Sequence, residues 1–368
     1  MKIAVDARSA NREKVSGGGI YLKNLLRGIA QLDSKNDYLL FIDSELNNSF
    51  PVQKENFQTK TLKSAIAWTQ LRLPHALFAH RPDVYFSPHH WLPALTPKCR
   101  KVVTIHDLSF LKYPQYFGLK TSLYFKMSTY HAVKAADKII TISHNSKKDL
   151  LHHYSVDEKK IKVIHLGCDE IFHFPLDDAQ SQKILVKYQI GNKYIFFLGD
   201  LHLRKNVERL IKAFEQVKKK KKTEHKLVIT GKKDWLSQQI YNLIGNSKVK
   251  DEIILTGYVP REVLPYLMGN AEMFVFPSLF EGFGMPLLEA MAARTPIITS
   301  NTTSMPEIAG DAAILVNPQS IDEIANAIEQ LLENESLRED LVQKGSHQVK
   351  KFSWQKTARE TLNLLCQN

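Results

Sequence analysis

Short apolar runs recur along the chain, each followed by a polar or glycine-bearing turn and then by a stretch with helical spacing. Ile3–Val5, Tyr38–Ile42, Asp83–Ser87, Lys101–Ile105, Lys138–Ile142 and Lys162–Leu166 predict strands in the first half. Tyr194–Leu198, Lys226–Thr230, Ile253–Leu255, Met273–Phe276, Pro296–Ser300 and Asp311–Val316 predict them in the second. Strands that read as continuous apolar runs are covered on both faces, as in a parallel sheet. Between them, helical spacing predicts Ile20–Gln31, Ser122–Ala135, Ser146–Tyr154 capped by Ser143, Val207–Lys218, Leu287–Ala293 and Ile321–Asn334. A helix over Thr61–His80 is interrupted by Pro74. Phe352-Ser353-Trp354 opens a last one. The alternation predicts an α/β protein with two doubly wound domains, 1–172 and 191–352. Segment 173–190, with Pro175 and mixed composition, reads as the linker.

Composition narrows the class. At 368 residues, 43% apolar and 24% charged, the chain is an ordinary globular protein with room for two domains. No run of about 20 apolar residues predicts a membrane-spanning helix. Met1–Asp6 enters a strand without a signal peptide's apolar core, and Cys99, Cys168 and Cys366 are scattered. Both point to a cytoplasmic, reducing location. His89-His90 and His152-His153 are adjacent pairs, which suit no zinc site. The net charge of +12 favours anionic partners. The Lys218–Lys222 run reads as a solvated helix end, and without interleaved aromatics no nucleic-acid partner is expected. Thr61–His80, with Trp68, Leu71, Leu73 and Leu77 among Lys63, Arg72 and His75, fits either a membrane-surface helix or a core-packed one.

Candidate chemistry clusters where strands end. In Phe280–Glu289, glycines at 282 and 284 permit a tight turn, and Pro286 suits the first helical position. Such a turn presents N–H groups to an anion, with Glu281 and Glu289 on either side. That arrangement suits a phosphate flanked by polyhydroxyl groups, as in a nucleotide sugar; surface glutamates on an ordinary strand–turn–helix are the plainer reading. Gly199 begins a loop holding Arg204-Lys205-Asn206, a pair of cations fit to clamp a diphosphate. Thr256–Pro260, with Tyr258 and Val259, could meet the edge of a base. In the first half, Gly17-Gly18-Gly19 precedes the first helix, too irregular for a dinucleotide fingerprint. His89 and Trp91 follow one strand as a possible sugar-acceptor loop, and His106-Asp107 follows another, where ligands of such sheets bind.

The Glu281-to-Glu289 spacing resembles the E-x7-E motif of retaining family 4 glycosyltransferases with the GT-B fold. The glycine loop, His-Asp, Gly-x4-Arg-Lys-Asn, Gly-Tyr-Val-Pro and E-x7-E also occur in that family's order, over nearly the whole chain. His106-Asp107-Leu108 and Asn301–Glu307 are most similar to the mannosyltransferases of bacterial polysaccharide and lipopolysaccharide synthesis. The compact Gly199–Asn206 loop is a departure that leaves the donor base open.

The resemblance implies two Rossmann-like domains facing across a cleft, with helix 353–368 crossing back onto the first. It implies a hexosyltransferase moving a sugar, such as mannose, from a nucleoside diphosphate to a saccharide or lipid-linked acceptor with retention. Arg204, Lys205 and the N–H groups near Leu287 would stabilise the leaving diphosphate. Glu281 would hold the hexose, Glu289 the ribose, and His106 would contact the donor sugar. Gly18, Gly19, Gly199, Tyr258, Val259, Phe283, Gly284 and Met285 would complete the donor site, and His89, Trp91 and Asp107 the acceptor side. No metal or other cofactor is implied, since no Asp-x-Asp stands at a strand exit. A peripheral position at the cytoplasmic face of the inner membrane is compatible with this. Two other readings remain: a non-catalytic sugar-nucleotide or polyanion-binding protein, and a nucleotide-sugar epimerase.

Overall fold

Every strand lies parallel to its sheet neighbours. The computed structural model describes residues 1–13, 16–63, 67–232 and 238–367. They form two units, Met1–Gly167 with the C-terminal segment from Ser353, and Cys168–Phe352. In the first, β1 (Lys2–Asp6), β2 (Asp37–Ile42), β3 (Phe57–Thr61), β4 (Val84–Ser87), β5 (Arg100–Ile105), β6 (Lys138–Thr141) and β7 (Ile161–Val163) are ordered β3-β2-β1-β4-β5-β6-β7. In the second, β8 (Tyr194–Leu198), β9 (Lys226–Thr230), β10 (Ile253–Gly257), β11 (Met273–Phe276), β12 (Ile297–Ser300) and β13 (Ile314–Val316) are ordered β10-β9-β8-β11-β12-β13. The direction of winding reverses between β1 and β4 and between β8 and β11. At such points the crossover helices diverge and leave a crevice beyond the carboxyl ends of the strands.

Several expectations need correction. β3 was not anticipated: Gln58, Thr59 and Lys60 make it polar, and as an edge strand it pairs with β2 alone. Pro74 opens a helix, Leu73–His80, because its missing N–H costs nothing in the first turn. Trp68, Leu73 and Leu77 are buried in the core, so this segment is core-packed and not a membrane-surface helix. The supposed linker contains the helix Asp178–Lys187, capped by Asp177, with Ile184 and Leu185 buried. Its apolar residues other than Ala179 fall together at Ile184, Leu185 and Val186, which shows no period in the sequence. Helix Glu335–Gln348 was also unread; its buried contacts include Gly345, which lets Met291 approach.

The C-terminal helix Trp354–Cys366, capped by Ser353, belongs to the first unit. It crosses the helix Gly17–Leu32 at Gly28, where a Cβ would stand 2.5 Å from that of Ala358. Thr357 Oγ1 donates to the His165 carbonyl at 2.7 Å.

Candidate active site

β8 leads through Gly199 into a short helical turn, Leu203–Lys205, which Asn206 ends in the left-handed region at φ 64°. Asn206 is buried and donates from Nδ2 to the carbonyls of Pro277, 2.9 Å, and Pro318, 2.6 Å. The Leu279 N–H donates to the Arg204 carbonyl at 2.8 Å. The exits of β8 and β11 are thereby pinned together, and Arg204 and Lys205 converge on Glu281. Lys205 Nζ lies 2.6 Å from one carboxylate oxygen and Arg204 3.2 Å from the other. Arg204 also donates to the Phe280 carbonyl, 3.3 Å.

Burial works to raise the Glu281 pKa, but Lys205 and Arg204 override it and hold the carboxyl below its usual value. Burial pulls Lys205 below its usual value, with Glu281 acting against it. Two basic side chains face one carboxylate, so the cluster has more cationic than anionic groups. The helix Met285–Ala292 begins beside them, so Pro286 is its second residue and not its first. Gly284 has φ 101°, and a Cβ there would collide with the Met305 methyl. Ser304 Oγ lies 3.0 Å from the carbonyls of both Glu281 and Phe283, fixing the turn. Phe283 and Leu287 side chains are buried, so the turn offers a ligand main-chain groups rather than these side chains.

Glu289 lies deeper, paired with a residue the sequence reading missed. Arg261 donates to Glu289 Oε1 at 2.8 Å and to Asp169 Oδ2 at 3.0 Å. Burial raises the Glu289 pKa, with Arg261 opposing it. The signal was available: Arg261 directly follows Tyr258-Val259-Pro260, a loop already singled out. Within that loop Val259 is buried and Tyr258 exposed, its ring 5.1 Å from Lys232 Nζ.

A second cluster forms at the exits of β4 and β5. His106 Nε2 stands 2.8 Å from the Pro88 carbonyl, which can only accept, so the proton is on Nε2. Burial lowers the His106 pKa, keeping the ring neutral and Nδ1 an acceptor. Tyr21 meets it edge-on at 5.1 Å and bonds Thr104 through its hydroxyl. His89 stacks on Trp91 at 4.9 Å and lies 6.1 Å from His106. Burial also holds His89 well below its usual pKa and His90 at about 4. Gly18 and Gly19 are not a loop: Gly17–Leu32 is helical throughout. A Cβ on Gly18 would come within 3.3 Å of the His89 ring. Asp107 Oδ1 accepts from the N–H and Oγ of Ser109, so that oxygen closes its own turn. Among the described residues, the buried Trp91 Nε1 and His90 Nε2 have no hydrogen-bond partner.

Two family models divide the chain: Glycosyltransferase Family 4 over residues 15–171 and Glycosyl transferases group 1 over 180–348. The O-antigen chain mannosyltransferase B of Escherichia coli is 32% identical over 289 residues, covering 78% of this chain and 75% of its own. The chain belongs to the group 1 glycosyltransferases. Among solved structures, this glycosyltransferase superposes on sucrose-phosphate synthase of Thermosynechococcus elongatus with a TM-score of 0.79, at 19% identity, covering 99% and 98% of the two chains. It matches Anabaena Alr3699/HepE in complex with UDP-glucose with a TM-score of 0.77, at 17% identity and 99% of each. The two doubly wound units are those of the GT-B fold, and the family retires the non-catalytic and epimerase readings. Among the described residues no helix is long and apolar enough to cross a membrane.

Proposed function

We propose that this glycosyltransferase moves a hexose, mannose as in the O-antigen relative's name, from a nucleoside diphosphate to a hydroxyl of a saccharide or lipid-linked saccharide. We place the reaction at the cytoplasmic face of a membrane and assign it retention of anomeric configuration. The observation that carries the reading is the meeting of Arg204, Lys205 and Glu281 at a helix N-terminus beyond β8 and β11. The site has positive charge for a departing diphosphate and a carboxylate for the sugar from which it departs. As the glycosidic bond breaks, negative charge grows on the diphosphate and positive charge on the flattening ring. Fixed groups of opposite sign stabilise both more in the transition state than in the ground state.

Glu281 has both oxygens engaged by cations, each retaining a lone pair for a hexose hydroxyl. Glu289, oriented by Arg261, takes the ribose. Neutral His106 accepts from a donor-sugar hydroxyl through Nδ1, and the loop of His89 and Trp91 after β4 lies on the acceptor side. No protein nucleophile is assigned: the departing phosphate takes the acceptor proton on the same face. The two cations and the helix N-terminus take the part a divalent metal plays elsewhere, so none is required. Incubation with a panel of nucleoside-diphosphate hexoses and lipid-linked saccharides, with product configuration read by NMR, tests the reading. Transfer from a nucleoside-diphosphate mannose with retention is expected; inversion, or turnover without an acceptor, overturns it.

A further inference from the structure

We propose that the outward face of the helix Leu119–Ala135 docks on an anionic phospholipid surface. Leu119, Leu123, Met127 and Tyr130 fall within one arc of about 80° at helical spacing. All are exposed, Leu119 by 86% and Met127 by 65%. Exposed Lys120, Lys126 and Lys134 border this arc or lie within it, and residues 113–136 contain no Asp or Glu. The opposite side of the helix is anchored: Thr129, Ala132 and Val133 are buried, and Phe125 packs edge-on against His90 at 4.9 Å. A face this apolar on an anchored helix needs a cover. Lysine stems lie along apolar surface while their ammonium groups reach phosphates, and tyrosine suits the headgroup boundary. A second copy is a poorer occupant, because two such faces bring lysines against lysines.

The apolar face continues toward the β4 exit. His131 Nε2 lies 3.2 Å from the Pro93 carbonyl, tying to this helix the loop that leaves Leu95 70% exposed. That loop directly follows Trp91. The surface stands on this geometry; its use, holding the enzyme where a lipid-linked saccharide can reach the loop of His89 and Trp91, rests on the function proposed above.

The test is co-sedimentation of the full chain with phosphatidylcholine vesicles, with and without phosphatidylglycerol. The wild type is expected to pellet with the anionic vesicles, less so as salt rises. Lys120→Ala and Lys126→Ala should each weaken binding about fivefold, the equivalent of about 1 kcal/mol per surface lysine. Leu123→Ser with Met127→Ser should abolish pelleting while transfer to a water-soluble acceptor is unchanged. A wild type that stays in the supernatant, or variants that pellet as well as it, overturns the proposal. So does a wild-type dimer that Met127→Ser dissociates without altering pelleting. Loss of transfer with pelleting intact would instead count against the function and leave the surface standing.

Discussion

Glu281 and Glu289 are both buried carboxylates, yet their pKa values move in opposite directions: two cations outweigh burial and lower Glu281, whereas burial outweighs Arg261 and raises Glu289. Glu281, depressed by two cations, contributes stability that is present above the usual 4.5 and is lost as pH falls through its lowered value. Glu289, raised by burial, binds its proton more tightly folded than unfolded, so its contribution to stability declines as pH rises from 4.5 through its raised value. Donor binding runs the other way, since ribose hydroxyls need the carboxylate as acceptor. Donor affinity measured by calorimetry should therefore fall on acidification at a pH above 4.5, and Glu289→Gln should weaken it with kcat little changed. Glu281→Gln should chiefly lower kcat, because an amide does not stabilise a positive ring. It should also lower Tm by leaving Lys205 buried without its countercharge, a change that costs about 3–5 kcal/mol in other buried pairs. Arg204→Ala or Lys205→Ala should cut kcat/KM by about 10²-fold or more, matching the roughly 2.7–4 kcal/mol such donors supply. Activity should persist in EDTA; loss reversed by Mg²⁺ would mean the cations do not suffice. These residues were legible because charged side chains at the carboxyl ends of apolar runs face the crevice of a parallel sheet. Which carboxylate meets which cation was not, since it depends on how Asn206 staples two loops 71 residues apart. Arg261 escaped for the same reason, its partners being 92 and 28 residues away.

At the scale of elements, long apolar strands and amphipathic helices read correctly, because a strand buried on both faces leaves a continuous run. What failed were elements whose burial is one-sided or brief: edge strand β3, the helices Asp178–Lys187, Gln238–Asn246 and Glu335–Gln348, and the first turn of Gly17–Leu32, written in glycine. Glycine there reflects the nearness of His89, and not a loop. The turn before Met285 poses the sharpest local demand. Gly284 has a left-handed φ and the Met305 side chain where a Cβ would go, so Gly284→Ala meets both backbone strain and a clash. A loss of about 1–3 kcal/mol in the unfolding free energy measured by denaturant titration is expected, with weaker donor binding, because the strained turn also aims the helix N-terminus. Unchanged stability would mean the turn relaxes without cost.

At the scale of the molecule, the first unit is not continuous in sequence: its sheet lies in residues 1–167 and one of its helices comes from beyond Ser353. That arrangement reaches the chemistry through Tyr21, which faces His106 on one side and Trp354 on the other, at ring distances of 5.1 and 6.5 Å. The contact is set by the close crossing at Gly28, where there is no room for a side chain. Gly28→Val should force the two helices apart, an overpacking that typically costs about 1–3 kcal/mol. In a domain of this size each kcal/mol lowers Tm by roughly 2–4 °C. Two units with separate cores need not melt as one. Calorimetry on Gly28→Val should therefore show a lowered transition for the first unit, while Gly284→Ala lowers one belonging to the second. Gly28→Val should also reduce kcat through the displaced Tyr21 and His106, yet leave nucleoside-diphosphate affinity near wild type, because Arg204, Lys205 and Arg261 all lie in the second unit. If diphosphate affinity falls as far as kcat, the terminal helix supports more than the first unit, and the assignment of the donor to the second unit fails with it.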